Sequence, residues 1–254
     1  MSYRYNTMGR WGRMIYRKLL PSVPSQYTLG EVDDICAVRL VPREKLESYF
    51  THCINLLRQV RGNDVGDYLE FGVFNGTSLG DAYLTAKKLH APMRFFGFDA
   101  FEGLPPESEQ EDAGVWKKGF YTCSFDQLQV CLKRKDIDPN DIHWVKGWYK
   151  ETLTPALAVQ QQINPGIVFI DCDTYSSSKS ALDFLTPLIK KPVIISLDDW
   201  RLYDLDLKGE GEYRSFNEFL EANSHFETKE IGTYKRNARS FLITPKEIKG
   251  TRYL

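Results

Sequence analysis

The chain has 254 residues, of which 42% are hydrophobic and 26% are charged. This composition is that of an ordinary globular protein, and the length suits one large α/β domain. The formal net charge of −1 gives the chain no global basic field, so no nucleic-acid partner is expected. No run of about 18 apolar residues is present, which excludes a membrane-spanning helix. The five cysteines form no CxxC pair, so we expect free thiols in a reducing, cytoplasmic location.

The N-terminal segment differs in character from the rest of the chain. Its first 30 residues carry five basic side chains and no acidic one, and at helical spacing the basic and apolar residues fall on opposite faces. We predict an N-terminal helical arm over residues 1–43, separate from a domain over residues 44–254. The arm is interpreted either as packing on the domain and covering its cleft, or as a targeting presequence or peripheral membrane contact.

The elements after the arm alternate between strands and helices. Residues 44–60 show a helical stripe of apolar residues. Strands are predicted over 68–73, 93–98, 142–147, 166–171 and 192–197, and helices near 77–90, 124–134, 177–190 and 212–222. Residues 225–231 and 240–244 would add a hairpin at one edge. This order predicts an α/β fold with a doubly wound, mostly parallel seven-stranded sheet and helices on both faces. Residues 102–120 are interpreted as a lid or as a plain solvated loop.

The ends of the first three strands carry features that suit a nucleoside ligand. The first strand leads into the glycine loop EFGVFNGTS (70–78), whose spacing is not the GxGxxG of dinucleotide-binding proteins. The second strand ends at Asp99, where doubly wound folds hold ribose hydroxyls. The third ends in Lys146-Gly147-Trp148, and the tryptophan would flank an adenine ring. Together these features fit S-adenosylmethionine (SAM) better than NAD or ATP.

The fourth and fifth strands both end in aspartates. Asp171 follows the strand GIVFI, and Asp198 and Asp199 follow PVIISL. Because the two strands are expected to be neighbours, these carboxylates would crowd together at one edge of the sheet. An all-oxygen ligand set selects Mg²⁺, Ca²⁺ or Mn²⁺, and we name Mg²⁺ first. The sequence therefore favours a divalent cation among these acids over the alternative that they cap loops or helix N-termini.

Five blocks of sequence resemble one enzyme family. The blocks EFGVFNGTS, FDAFEGLP, WVKGWYKETL, IDCDTYSSSKSAL and SLDDW resemble the macrocin O-methyltransferase family over residues 46–219. The resemblance implies a Rossmann-like methyltransferase fold and an enzyme that methylates sugar hydroxyls with SAM and a divalent metal. It also implies that Asp171, Asp198 and Asp199 hold the metal and that Asp173 is the catalytic base.

The predicted cofactor-binding residues come from the glycine loop and the next strand ends. Some are implied by the resemblance: Glu70, Gly72, Ser78, Asp99 and Ser124. The same prediction includes Gly76, Thr77, Phe101, Gly147 and Trp148.

The expected function is SAM- and metal-dependent methylation of a hydroxyl on a sugar or glycoside. Asp173 would take the proton, since an extended strand places it on the same side as Asp171. The alternatives are a catechol-like O-methyltransferase acting on a vicinal diol and a non-catalytic SAM-binding or carbohydrate-binding protein. The partner is a small-molecule or glycan acceptor, and a homo-oligomer is left open.

Overall fold

The computed structural model describes residues 29–246 of the chain. Two helices precede the first strand, α1 (Leu29–Ala37) and α2 (Arg43–Arg61). The apolar stripe of α2 buries Leu46, Phe50 and Leu57, as the periodicity predicts. The predicted amphipathic helix near the N-terminus lies outside the described residues. The division of the chain at residue 43 stays a prediction. Among residues 29–246, no helix is long and apolar enough to cross a bilayer.

A seven-stranded sheet forms the centre of the molecule, in the order β3-β2-β1-β4-β5-β7-β6. Its first five strands are parallel, and β7 runs antiparallel to both β5 and β6. The predicted mostly parallel sheet with an edge hairpin is confirmed. The strands are β1 (Asp67–Phe71), β2 (Phe95–Asp99), β3 (Ile142–Lys146), β4 (Pro165–Ile170), β5 (Val193–Leu197), β6 (Phe226–Ile231) and β7 (Arg239–Pro245).

Helices cover both faces of the sheet. Along β4, Ile167 and Phe169 belong to one hydrophobic cluster, whereas Val168 and Ile170 belong to another. This alternation is what a strand covered on both sides requires. The remaining helices are α3 (Thr77–Lys88), α4 (Phe125–Lys133), α5 (Tyr149–Thr152), α6 (Pro155–Gln161), α7 (Tyr175–Leu185), α8 (Leu205–Lys208) and α9 (Gly211–Ala222).

A disulfide joins α1 to α4. Cys36 and Cys131 are bonded across a sequence separation of 95 residues, so the expectation of five free thiols is wrong for this pair. The other three cysteines are free and buried. Asn75 of the glycine loop also holds α1 in place, because it donates hydrogen bonds to the carbonyls of Ile35 (2.9 Å) and Val38 (2.8 Å). The segment 35–42 is thereby fixed over the glycine loop.

The stretch 102–120 is a packed loop rather than a plain solvated one. It contains two short 3₁₀ turns, and Trp116 within it is only 1% exposed. The buried Asp112 carboxylate accepts hydrogen bonds from the backbone N–H groups of Tyr175 and Gly211, each at 2.9 Å. The loop is therefore fastened to the first turns of α7 and α9.

Candidate active site

A cavity of about 1320 Å³ lies at the carboxyl ends of the parallel strands. Residues that end or follow β1 to β5 all line it, among them Gly72, Asp99, Gly147, Asp171 and Asp198. Doubly wound folds bind their ligands at this edge. Pockets for one small molecule usually measure about 300 to 1000 Å³, so this cavity has room for two ligands side by side.

The two acidic strand ends meet in this cavity. Ile170 of β4 pairs with Leu197 of β5, so the residues that follow them are side by side. The Asp198 N–H donates to the Ile170 carbonyl at 2.9 Å, which holds the two ends in register. One carboxylate oxygen from each of Asp171, Asp198 and Asp199 lies within 4.8 Å of the other two. The expected convergence of these residues is confirmed, and metal binding by them stays a prediction.

Two residues of the β6–β7 turn contact the same carboxylates. The Tyr234 hydroxyl donates to Oδ1 of Asp198, and the Lys235 ammonium donates to Oδ2. Lys235 Nζ also lies 3.8 Å from Asp199 Oδ1. Burial would lower the pKa of Lys235, but the charges of Asp198, Asp199 and Asp171 outweigh it and raise that pKa. Sequence reasoning missed both residues, although β7 beside β5 necessarily brings this turn to the acidic edge.

Asp173 lies beside this cluster, in a conformation that the sequence did not predict. Its φ of +64° is left-handed, so the chain has left the extended conformation, and the expected strand alternation with Asp171 is wrong. Asp173 is nevertheless 7% exposed and lines the cavity. Burial, and next the charge of Asp199, raise the pKa of Asp173 well above its usual value. The side chain is thus a buried acid facing the cavity.

A further buried acid, Glu212, accepts a hydrogen bond from the backbone of Asp199. Its Oε2 accepts the Asp199 N–H at 2.8 Å, whereas its Oε1 has no hydrogen-bond partner among the described residues. Burial and then the charge of Asp199 raise the pKa of Glu212. Glu212 has no sequence signature of its own, since it lies 13 residues after Asp199 at the start of another helix.

The chemistry of this donor set fits a hard divalent cation. Three carboxylates converge, two more acids adjoin them, and Lys235 balances only part of the negative charge. Oxygen ligands with excess negative charge favour Mg²⁺, Ca²⁺ or Mn²⁺ over softer metals. The residues that would hold the ion are those named by the sequence pattern.

The glycine loop and Asp99 shape the other half of the cavity. A Cβ atom on Gly72, whose φ is +85°, would lie 1.9 Å from the Asp171 carbonyl oxygen, so no other residue fits there. The Asp99 carboxylate accepts the N–H groups of Val73 (2.7 Å), Phe74 (3.1 Å) and Phe101 (2.6 Å). Asp99 therefore organises the loop, and it also lines the cavity.

The structure separates the predicted cofactor residues into two groups. One group lines the cavity and consists of Gly72, Thr77, Ser78, Asp99, Gly147 and Trp148. The other is absent from that lining and consists of Glu70, Gly76, Phe101 and Ser124.

The second group has structural contacts instead. Ser124 forms a capping box with Gln127 at the start of α4, a role its S-x-x-Q spacing indicates. Phe101 packs against Phe125 and Trp144. Strand alternation points Glu70 into the helix layer, where Ser78 donates to it at 2.7 Å. Any contact of these residues with a cofactor stays a prediction.

Replacing Glu70 by glutamine should change how stability depends on pH. Burial raises the pKa of Glu70 to about 8 from 4.5, although Tyr68 and Ser78 donate hydrogen bonds to it. The folded wild type keeps this proton at a pH where the unfolded chain has lost it, so this site costs stability as pH rises from about 5 to 8. Glutamine removes that cost. The variant should therefore gain about 2 kcal/mol over wild type between pH 6 and pH 8.

Urea unfolding in chelator at both pH values measures this difference. Glu227→Gln, on an exposed position of β6, is the control and should follow the wild type. A Glu70→Gln variant whose advantage does not grow with pH would contradict the prediction.

The chain matches the family model described as Macrocin-O-methyltransferase (TylF) over residues 33–231. A curated relative from Streptomyces olivaceus, 8-demethyl-8-(2,3-dimethoxy-alpha-L-rhamnosyl)-tetracenomycin-C 4'-O-methyltransferase, is 24% identical over 147 residues. That match covers 54% of either chain, so it spans about half the length of the curated relative.

Solved structures share the fold. The O-methyltransferase NovP superposes with a TM-score of 0.64 at 17% identity, covering 80% of each chain. An O-methyltransferase from Bacillus cereus, solved in complex with SAH, superposes with a TM-score of 0.53 at 16% identity. That alignment covers 88% of this chain and 93% of the other. The family match extends over most of the sequence. The chain therefore belongs to the macrocin-O-methyltransferase family, which confirms the resemblance and the predicted enzyme class, an O-methyltransferase.

Proposed function

We propose that this protein transfers the methyl group of SAM to a hydroxyl of a sugar or glycoside, with a divalent cation at the acidic residues. The observation that carries the proposal is the convergence of Asp171, Asp198 and Asp199 in the cavity that the glycine loop also lines. The S. olivaceus relative, named for methylating a rhamnosyl compound, supports the acceptor class. The B. cereus structure with SAH supports the cofactor.

The residues of the cavity would have three separate roles: cofactor binding, metal binding and proton transfer. Bound SAM supplies an electrophilic methyl group, and a divalent ion lowers the pKa of an acceptor hydroxyl. Gly72, Ser78, Asp99 and Trp148 line the cavity and would hold the cofactor. Asp171, Asp198 and Asp199 would hold the ion beside the acceptor, and Asp173 would take the hydroxyl proton on a carboxylate oxygen. The packed loop 102–120 and the segment 38–42 contribute residues to the cavity wall.

Replacing Asp173 by asparagine should slow single-turnover methyl transfer on the order of a hundredfold, because asparagine cannot accept the proton. SAM affinity should stay within about twofold, since the change leaves the glycine loop untouched. Rapid-quench measurement of S-adenosylhomocysteine, together with calorimetric titration of SAM, checks both parts.

Asp204→Asn provides a matched control for this variant. Asp204 is an exposed carboxylate on the same cavity, and its left-handed φ of +59° suits asparagine. The control should keep wild-type turnover. Near-normal turnover by Asp173→Asn would remove the base assignment.

Incubation with SAM, Mg²⁺ and a panel of acceptors tests the function as a whole. We expect S-adenosylhomocysteine and a methylated product with glycosides or nucleotide-linked sugars, and little product with a catechol. Preference for the catechol would favour the alternative enzyme. SAM binding that is insensitive to metal, with no turnover on any acceptor, would instead indicate a non-catalytic binding protein.

A further inference from the structure

Lys235 places a positive charge on the carboxylates that are proposed to hold the divalent ion. Its ammonium contacts Oδ2 of Asp198 and lies 3.8 Å from Oδ1 of Asp199. The side chain is 24% exposed and lines the cavity. It comes from the β6–β7 turn, beyond residue 231, where the family match ends.

The Lys235 ammonium and a divalent ion would compete for the same carboxylate oxygens of Asp198 and Asp199. Tyr234 already donates to Oδ1 of Asp198, and Lys235 donates to Oδ2, so neither oxygen of that carboxylate is without a donor. A divalent ion shared by Asp198 and Asp199 would lie within a few ångströms of the ammonium, and like charges at such distances in a buried site repel strongly. Tyr234 is neutral, so its hydrogen bond to Asp198 can remain. The Lys235 ammonium would be repelled by the ion and displaced from Asp198.

The surroundings permit such a movement. Lysine carries its charge on a flexible four-carbon stem, and the cavity that Lys235 lines offers it space. The nearby Gly232 has no atom within 4 Å of the position where a Cβ would stand, so the turn is open at that residue. The backbone of Asp198 stays in place meanwhile, because its N–H donates to the Ile170 carbonyl, and Tyr234 still donates to its Oδ1.

We propose that Lys235 is a positioning residue that competes with the divalent ion for Asp198 and so weakens and regulates metal binding. Before the ion binds, the ammonium holds the crowded carboxylates together. When the ion binds, Lys235 withdraws into the cavity. The inference rests on the divalent ion of the proposed function, although not on the identity of the acceptor.

Calorimetric titration of Mn²⁺ into wild type and Lys235→Met tests the proposal without measuring activity. Methionine keeps the length of the side chain and removes its charge. The variant should bind Mn²⁺ about tenfold more tightly or better, and its melting temperature should rise more on adding Mn²⁺ than that of wild type. Arg236→Met is the matched control, since it removes a cation from the same turn that contacts none of the three aspartates. Its Mn²⁺ affinity should stay within about twofold of wild type.

A second measurement uses the unaltered protein, so it does not depend on the variant folding. Reductive methylation followed by peptide mass spectrometry reports how accessible each lysine is. Saturating Mn²⁺ should increase the modification of Lys235 several-fold and leave that of Lys191, on the far side of the sheet at Asp64, unchanged.

The outcomes separate this inference from the proposed function. Unchanged or weaker Mn²⁺ affinity in Lys235→Met, or protection of Lys235 by Mn²⁺, would overturn the competition while leaving metal-dependent methylation intact. Binding by the variant but not by wild type would support it in its strongest form. Absence of Mn²⁺ binding in both would overturn the competition and the proposed metal together, and turnover in chelator would then show whether methylation survives.

Discussion

An Asp171→Asn variant should lose about a thousandfold or more in kcat/KM for methyl transfer and yet be more stable than wild type in chelator. The loss follows because one of three charged oxygen ligands becomes a neutral amide, and a Lewis-acid metal is worth several kcal/mol of transition-state stabilisation. Removing the metal from wild type should have a comparable effect on activity. Steady-state kinetics with and without EDTA measure both losses.

The gain in stability has a separate cause in the same geometry. Among residues 29–246, no group is recorded as donating a hydrogen bond to the Asp171 carboxylate, which instead faces Asp198 and Asp199. Replacing a repelled charge by an amide of the same shape should raise the free energy of unfolding on the order of 1 kcal/mol. Urea unfolding in EDTA measures this change. A variant that retains activity, or one that is destabilised in EDTA, would contradict the proposed charge balance.

Asp183→Asn is the matched control for that experiment. Asp183 lies on the exposed side of α7 in an ion pair with Lys179 at 3.3 Å. Exposed pairs of this kind contribute little, so stability should change by less than about 0.5 kcal/mol and activity should not change.

Loss of the Cys36–Cys131 disulfide should destabilise the protein by about 4 to 5 kcal/mol. The bond closes a loop with a sequence separation of 95 residues, and the entropy of an unfolded chain constrained over that length gives this magnitude. The double variant Cys36→Ala/Cys131→Ala and the reduced wild type should show the same loss in urea unfolding. Cys53→Ala is the control, because it removes a buried thiol with no disulfide partner. The difference in the free energy of unfolding between this variant and wild type should be the same with and without reductant.

Thiol counting decides whether the bond exists in the purified protein. Alkylation under denaturing conditions should label three of the five cysteines without reductant and all five with it. Because reducing compartments rarely retain disulfides, the same count on protein taken from cells under alkylating conditions also tests the expected cytoplasmic location. Five labelled cysteines before reduction would contradict the prediction.

The parts of the fold that follow from local pattern were predictable from the sequence. Apolar runs alternating with amphipathic stretches gave the order of strands and helices, because the central strands β1, β4 and β5 are buried on both faces and the longer helices on one. The meeting of Asp171 with Asp198 followed as well, since consecutive strands of a parallel sheet that lie side by side end at the same edge.

The contacts that were missed depend on distant segments or on backbone details. Cys36 and Cys131 carry no spacing motif, and their pairing needs α1 to fold back onto α4. The contacts of Tyr234 and Lys235 with Asp198 require β7 to lie between β5 and β6. The left-handed Asp173 reflects how the chain turns into α7, which strand periodicity does not describe. Glu70 is absent from the cavity lining, which its motif position could not show because a motif does not reveal which face of the strand is buried.

The insertion of β7 has a consequence for biosynthesis. On the ribosome the nascent polypeptide completes its acidic strand ends long before it supplies Lys235, which follows Asp198 by 37 residues. Strand β6 is also synthesised before β7, the only strand of the sheet with which it pairs. The acidic edge is therefore assembled last, and translation that stops short of the final hairpin yields a product whose Asp198 lacks the donors Tyr234 and Lys235.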